Sequence, residues 1–568
     1  MSPLKDKRHE IIYGLKDRQL LNLGEYKSQV KERLTSWKEH KFSRRLWARD
    51  HTLWFPESQP EITDRLGWVE VPEMMLEKLD DLKSFAQGVK EEGISYVVLL
   101  GMGGSSLAPE VFQKTFGNAP DYPELFVLDS THPSVVGSME EKIGLTRTLF
   151  LVSSKSGTTL ETLSLFRYFW SQMSSLTDKP GHHFVAITDP GTPFMKLAKE
   201  RDFRQVFQAN PDVGGRYSAF TDFGLVPAAL IGMDIQRLID RARIASENAA
   251  FCVSEDKTSS LILGAALGEL AKSRDKLTFL TSPSLEFFPD WLEQLIAEST
   301  GKDGKGIIPV VSEPQVSIEE YGEDRFFVGL SLETDNGREL EKQMKAFEEA
   351  GHPTVLIKLK EKYDLAQEIF RWEVAIASAG SVLGIHPFNQ PDVQLAKDLA
   401  REAMEKRQKP ERESVSPVET FSIEEPEVLT GALKNWIAQA QSGDYFALQA
   451  YLSPNADTTR ALQKIRYGLL KHKQLATTLG YGPRFLHSTG QLHKGGPNIG
   501  LFLQLVDEPS VNLSIPETDY SFNTLIKAQA LGDYQALKQR GRRVLRIDLM
   551  SDVRGGLDRL LHLIENLD

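Results

Sequence analysis

Cysteine is almost missing from this chain: there is one, Cys252, in 568 residues. No intrachain disulfide can form, and such usage fits a reducing compartment. In Phe251-Cys252-Val253 the thiol reads as a packing residue rather than a nucleophile. Long apolar runs are missing too. The longest, such as Val97-Val98-Leu99-Leu100, fall far short of the ~20 residues that span a bilayer. The amino terminus, Met1-Ser-Pro-Leu-Lys-Asp-Lys-Arg-His-Glu, is charged, with no apolar stretch behind it. It predicts neither a signal peptide nor a membrane anchor, so a cytoplasmic protein is expected. Positive charge is not in excess: the net charge is −12, which argues against nucleic acid as a partner. A small anion stays compatible, because it needs only a local positive pocket. No long period repeats along the chain.

What is present is the composition of an ordinary globular protein, 40% hydrophobic and 26% charged, long enough for three or four domains. Residues 1–74 mix charge with Trp37, Leu46, Trp47, Trp54 and Phe55 and predict a helical arm with one buried stripe. From about 75, apolar runs alternate with helical patterns. Strands are expected at Tyr96–Leu100, Leu125–Leu128, Thr148–Val152 and His183–Thr188, with helices between them. A second alternating unit has strands near 277–280, 307–311, 326–332 and 354–358. The expected fold class is α/β: two tandem doubly wound parallel sheets, each a three-layer αβα unit, over 75–250 and 251–407. A Pro-, Glu- and Ser-rich stretch at 408–426 reads as a linker. The part from 427 to 568 reads as an α/β extension, with helices at 428–440 and 457–478 and strands at 500–505 and 544–548.

Ligands collect at the carboxyl ends of strands in such sheets. Two loops fall there. Gly101-Met-Gly103-Gly-Ser105-Ser106 lacks the third glycine of a dinucleotide fingerprint, which argues against nicotinamide binding. Ser154-Lys155-Ser156-Gly157-Thr158-Thr159 joins an apolar strand to a helix. It suits a phosphate, with backbone N–H groups, hydroxyls and one ammonium, and it equally suits an ordinary N-cap turn. Gly214-Gly-Arg216 is either a close backbone approach carrying a guanidinium or a turn with a solvated arginine. Gln294 and Glu298 lie one helical turn apart, near a helix end whose dipole disfavours a carboxylate. Glu298 is thus a candidate base or a solvated surface residue.

Taken in order, Gly101-Met-Gly-Gly-Ser105, Asp129-Ser-Thr-His132, Ser154 through Thr162, Gly214-Gly-Arg-Tyr-Ser218, Glu298-Ser-Thr-Gly-Lys302 and Phe388-Asn-Gln390 through Ala400 resemble the successive signatures of the glucose-6-phosphate isomerase family. The resemblance covers about 75–405 and is closest to the isomerase part of bacterial transaldolase–isomerase fusions, although no transaldolase barrel is expected here.

The resemblance implies reversible aldose–ketose isomerisation of glucose 6-phosphate and fructose 6-phosphate through a cis-enediolate, in glycolysis and gluconeogenesis. Ser154, Lys155, Ser156, Thr158 and Thr159 would hold the phosphate, with Gly103 and Ser105 lining the pocket. Glu298 would move the proton between C2 and C1, Arg216 would stabilise the enediolate, Gln294 would bind sugar hydroxyls and Lys397 would assist at the ring oxygen. No metal or cofactor is implied, because the substrate's carbonyl acidifies its own C–H. A family histidine that opens the ring, supplied across the dimer in dimeric members, has no counterpart in Ser312–Gly322. His493, in Thr489-Gly-Gln-Leu-His-Lys-Gly-Gly, is the favoured replacement and His386 the second, so homodimer and monomer both stay open. Two alternatives remain: an isomerase that also takes mannose 6-phosphate, and a non-catalytic sugar-phosphate-binding regulator.

Overall fold

The structure, a computed structural model, describes residues 14–408 and 418–567, so 409–417 of the expected linker lie outside the described residues. Three five-stranded sheets form three lobes. The strands are β1 (Gln19–Asn22), β2 (Tyr96–Gly101), β3 (Glu124–Leu128), β4 (Thr148–Ser153), β5 (Phe184–Thr188), β6 (Gln205–Gln208), β7 (Lys276–Thr281), β8 (Ile308–Val310), β9 (Arg325–Leu332), β10 (Thr354–Leu359), β11 (Phe421–Ser422), β12 (Tyr445–Tyr451), β13 (Ala476–Tyr481), β14 (Gly500–Val506) and β15 (Arg543–Asp548). The first sheet, β3-β2-β4-β5-β6, is wholly parallel. The second, β1-β10-β9-β7-β8, is parallel except for β1. The third, β11-β15-β14-β12-β13, is again parallel.

Side chains alternate across each sheet as a period of two requires. Val97, Leu99, Leu149, Leu151, Val185 and Ile187 face a core that continues without a break beneath the second sheet. Val98, Leu100, Phe150, Val152 and Phe184 face the other way, against Met404, Phe522 and Leu525. Five helices position the site: α1 (Leu107–Phe116), α2 (Leu160–Ser174), α3 (Phe288–Thr300), α4 (Gln394–Gln408) and α5 (Phe522–Gln539). Helix α4 ends the second lobe's chain, and α5 belongs to the third. They pack with their backbones in close approach: a Cβ on Gly532 would lie 2.6 Å from the Ala400 nitrogen. Among the described residues, no helix is long and apolar enough to cross a membrane.

The structure departs from the sequence reading in several places. The arm has its helices, Lys27–Glu39 and Phe42–Trp47, but Gln19–Asn22 is a strand that pairs antiparallel with β10. Four residues carry no periodicity of their own, and the open edge of β10 decides their conformation. Pro72–Glu91 also reads as one helix in the sequence, but a 3₁₀ turn interrupts it at Met75–Lys78. The helix expected over 457–478 stops at Lys473, because Gln474 turns left-handed at φ +56°, and β13 follows. Strand β12 is buried along its whole length, so it shows no alternation to read.

Ser312–Gly322, the segment searched for a histidine, begins at a tie between the second and third lobes. Glu313 accepts from Arg325 Nη1 at 2.8 Å and from the Thr477 backbone N–H at 2.6 Å. Arg466 donates to the carbonyls of Ser312 at 2.8 Å and Thr477 at 2.6 Å. Both arginines are fully buried. Glu313→Gln leaves Arg325 buried without its counter-charge, at a cost of about 3–5 kcal/mol. A lowered first thermal transition in calorimetry is the expected result.

Candidate active site

The carboxyl ends of β2 and β4 release the two loops singled out in the sequence. In the first, Gly103 is left-handed at φ +55°, and a Cβ there would stand 2.7 Å from the His487 carbonyl and 2.8 Å from Gln294 Nε2. Only glycine lets these three segments meet. Ser105 is buried in the same turn, its N–H bonded to the Met102 carbonyl at 3.1 Å. The second loop runs into α2, whose first-turn N–H groups and dipole favour an anion. Within it, Ser154 and Thr159 hydroxyls lie 3.0 Å apart, as do those of Ser156 and Thr158.

A cavity of about 270 Å³ opens at this turn. Its lining includes Ser156, Thr158, Thr159 and Glu161 from the first lobe and Lys397 from α4. The third lobe adds His487, Lys494 and Gln529. The Lys397 charge acts on both Glu161 and Glu298.

Glu298 lies beside this cavity on α3, in a cluster tied to it by hydrogen bonds. Its Oε2 is 3.2 Å from Arg216 Nε and accepts from Gln294 Nε2 at 3.2 Å. Gln294 Nε2 also donates to the His487 carbonyl at 2.9 Å. Arg216 is anchored by the carbonyls of Pro387, Phe388 and Asn389 and by the Gln390 side chain. Burial pushes the Glu298 carboxyl above its ordinary value of 4.5, although Arg216 and His487 pull it down. Lys302, also buried here, is pushed well below the usual lysine range. Gln294 Oε1 is buried with no hydrogen-bond partner in the protein, an acceptor that a hydroxyl would satisfy.

Three of the expected site residues lie away from this cavity. Lys155 does not line the cavity: its ammonium is 2.6 Å from Asp189 and close to the Asn210 carbonyl. His493 is buried in the third lobe, 3.2 Å from Gln449 and packed between Phe485 and Phe502. Burial pushes its imidazole well below 6.5. His386 spends both ring nitrogens on the backbone, Nε2 on the Pro60 carbonyl at 2.9 Å and Nδ1 on the N–H of Phe388 at 3.2 Å. Burial pushes it down to about 4.

The imidazole at the cavity is His487. Its Nε2 is 3.0 Å from Glu161 Oε1, which also accepts from Gln529 Nε2 at 2.7 Å. Burial raises the Glu161 carboxyl, but His487, a backbone hydrogen bond and the Lys397 charge together hold it below its usual value. An ionised carboxylate only accepts, so the Nε2 proton faces Glu161. Sequence reasoning passed over His487, Glu161, Gln529 and Lys494. Two signals were available: His487 precedes a Ser-Thr-Gly turn, whereas His493 follows an apolar residue, and Glu161 closes the hydroxyl-rich motif.

A family model described as phosphoglucose isomerase matches residues 69–323. The glucose-6-phosphate isomerase of Staphylococcus haemolyticus is 29% identical over 59% of this chain and 86% of its own length. That of Enterococcus faecalis is 26% identical over 62% of this chain and 92% of its own. The chain is thus similar to members of the phosphoglucose isomerase family over its first two lobes. Among solved structures, the hypothetical protein TT0462 of Thermus thermophilus aligns with a TM-score of 0.58 at 24% identity, over 67% of this chain and 99% of its own. A glucose-6-phosphate isomerase from Chlamydia trachomatis aligns with a TM-score of 0.53 at 20% identity, over 65% of this chain and 78% of its own. At these identities the two structures speak for the fold alone. The whole of the Thermus structure is matched by two thirds of this chain, so about a third of the chain has no counterpart there.

A base must be ionised to accept a proton. With Glu298 held above 4.5 by burial, the acid limb of a pH–kcat/KM profile is expected above pH 4.5. Steady-state rates from pH 4 to 9 check this, and a limb at or below 4.5 would show that burial does not dominate at the base.

Proposed function

We propose that this chain interconverts glucose 6-phosphate and fructose 6-phosphate as a cytoplasmic glucose-6-phosphate isomerase. The observation that carries the reading is the Glu298 carboxylate, held by Arg216 and Gln294 beside a cavity that opens on the hydroxyl turn and on His487. Ser156, Thr158 and Thr159, with the first N–H groups of α2, receive the phosphate. Lys397 adds positive charge on the facing wall. His487, oriented through Nε2 by Glu161, exchanges a proton with the ring oxygen and releases the open-chain sugar. Glu298 then removes the proton from C2 and returns it to C1, the carbonyl oxygen taking up negative charge as the enediolate forms, while the C2 hydroxyl proton passes to the C1 oxygen and leaves the carbonyl at C2. Arg216 faces that charge from a fixed position, a contribution of about 3–4 kcal/mol for one such preorganised donor. Gln294 Oε1 accepts from a sugar hydroxyl. The acid–base groups belong to the protein throughout, and the acidity of the C–H comes from the substrate's carbonyl.

Purified protein assayed with fructose 6-phosphate tests this. Glu298→Gln is expected to lower kcat about a thousandfold, as loss of a general base does. His487→Asn is expected to lower it about a hundredfold. His493→Asn removes a buried contact with Gln449 and is expected to lower thermal stability while changing kcat by less than about threefold. If Glu298→Gln retained wild-type turnover, the assignment would fall.

A further inference from the structure

His487 and Glu161 must stay within hydrogen-bond distance although they belong to different lobes. Glu161 is fixed in the first turn of α2. His487 stands on a four-residue 3₁₀ turn, Arg484–His487, that leaves the end of β13. In a 3₁₀ turn residues three apart eclipse one another, so the side chains at 484 and 487 leave the turn on one side. Both reach the first lobe. Arg484 Nη1 is 3.0 Å from Asp129 Oδ2 at the end of β3, and Nη2 is paired with Glu110 on α1. Asp129 is held in turn by the Ser106 hydroxyl at 3.3 Å, in the same loop as Gly103.

We propose, on the reading of His487 given above, that Arg484 is a positioning residue: its fork across Asp129 and Glu110 sets the turn so that the His487 imidazole meets Glu161. The planar guanidinium spans two carboxylates at once, which fixes an angle as well as a distance. Without it, Asp129 and Glu110 face each other with no counter-charge between them, and the turn loses its lateral tie to the first lobe. The Gln294–His487 carbonyl bond fixes one point of the turn. Arg484 fixes a second, and two points are needed to orient a ring. A lysine, as a point charge, satisfies one carboxylate and recovers part of the effect.

The test uses the full-length protein. Arg484→Met is expected to lower kcat about 10- to 100-fold, the scale of a misplacement near 1 Å. It is expected to leave KM, and the affinity for an acyclic five-carbon aldonate 5-phosphate, within about threefold, because an open chain has no ring to open. Arg484→Lys recovers part of the loss. Combined with His487→Asn, Arg484→Met adds no further loss, since both act on one step. Independently of turnover, the His487 Cε1–H resonance, assigned by its absence in His487→Asn, is expected to shift in Arg484→Met. An unchanged resonance, fully additive losses, or equal losses in kcat and in aldonate affinity would overturn the proposal. Absence of any isomerisation by the wild-type protein would remove the functional reading, and the resonance would still decide whether Arg484 sets the imidazole.

Discussion

A carboxylate taken out of water survives only where cations and donors replace the solvent. Glu298 is such a group, and much of the architecture around it supplies those replacements. Arg216 comes from the loop after the first sheet, and it is itself pinned by the carbonyls of 387–389 in the second lobe. Gln294 sits one turn earlier on the same helix and reaches across to the third lobe's backbone. The first two sheets share one hydrophobic core beneath this point, so the carboxylate and its guanidinium are carried on a single rigid support. Burial raises the proton affinity of Glu298, and the Arg216 charge opposes that rise.

The third lobe is not a passive appendage. Helix α5 packs on the face of the first sheet opposite the shared core, beside α4, and Gly532 lets the two helices approach closely. The same lobe lays His487, Lys494 and Gln529 along the cavity and ties itself to the second lobe through Glu313, Arg325 and Arg466. The Thermus structure, wholly matched by two thirds of this chain, does without a part of comparable length. Here the imidazole that faces the hydroxyl turn comes from the same polypeptide as the turn itself.

Much of the fold was legible in the sequence because it is written in local patterns. Strands β2 to β5 and β7 to β10 are compact apolar runs bounded by turn residues, and they follow from the sequence within a residue or two. Glu298 and Gln294 could be paired from helical spacing alone. Strands β12 and β13 escaped notice because one is buried on both faces and the other follows a helix without a glycine or proline between them. The site was legible only in part, for a different reason. Whether Lys155 points at a ligand or at Asp189, and whether His487 or His493 meets the first lobe, depends on packing between segments hundreds of residues apart. Resemblance to a short family motif favoured His493, whose burial between Phe485 and Phe502 no motif could show.

The cavity wall draws on residues near 158, 397, 487 and 529, so it closes only when the last of these is in place. On the ribosome, where the amino-terminal parts of a chain fold first, the two leading sheets and their common core can consolidate while the pocket is still open on one side. Emergence of α5 is then the event that converts a folded nascent chain into one able to hold a sugar phosphate. Synthesis itself thereby delays activity until α5 has emerged.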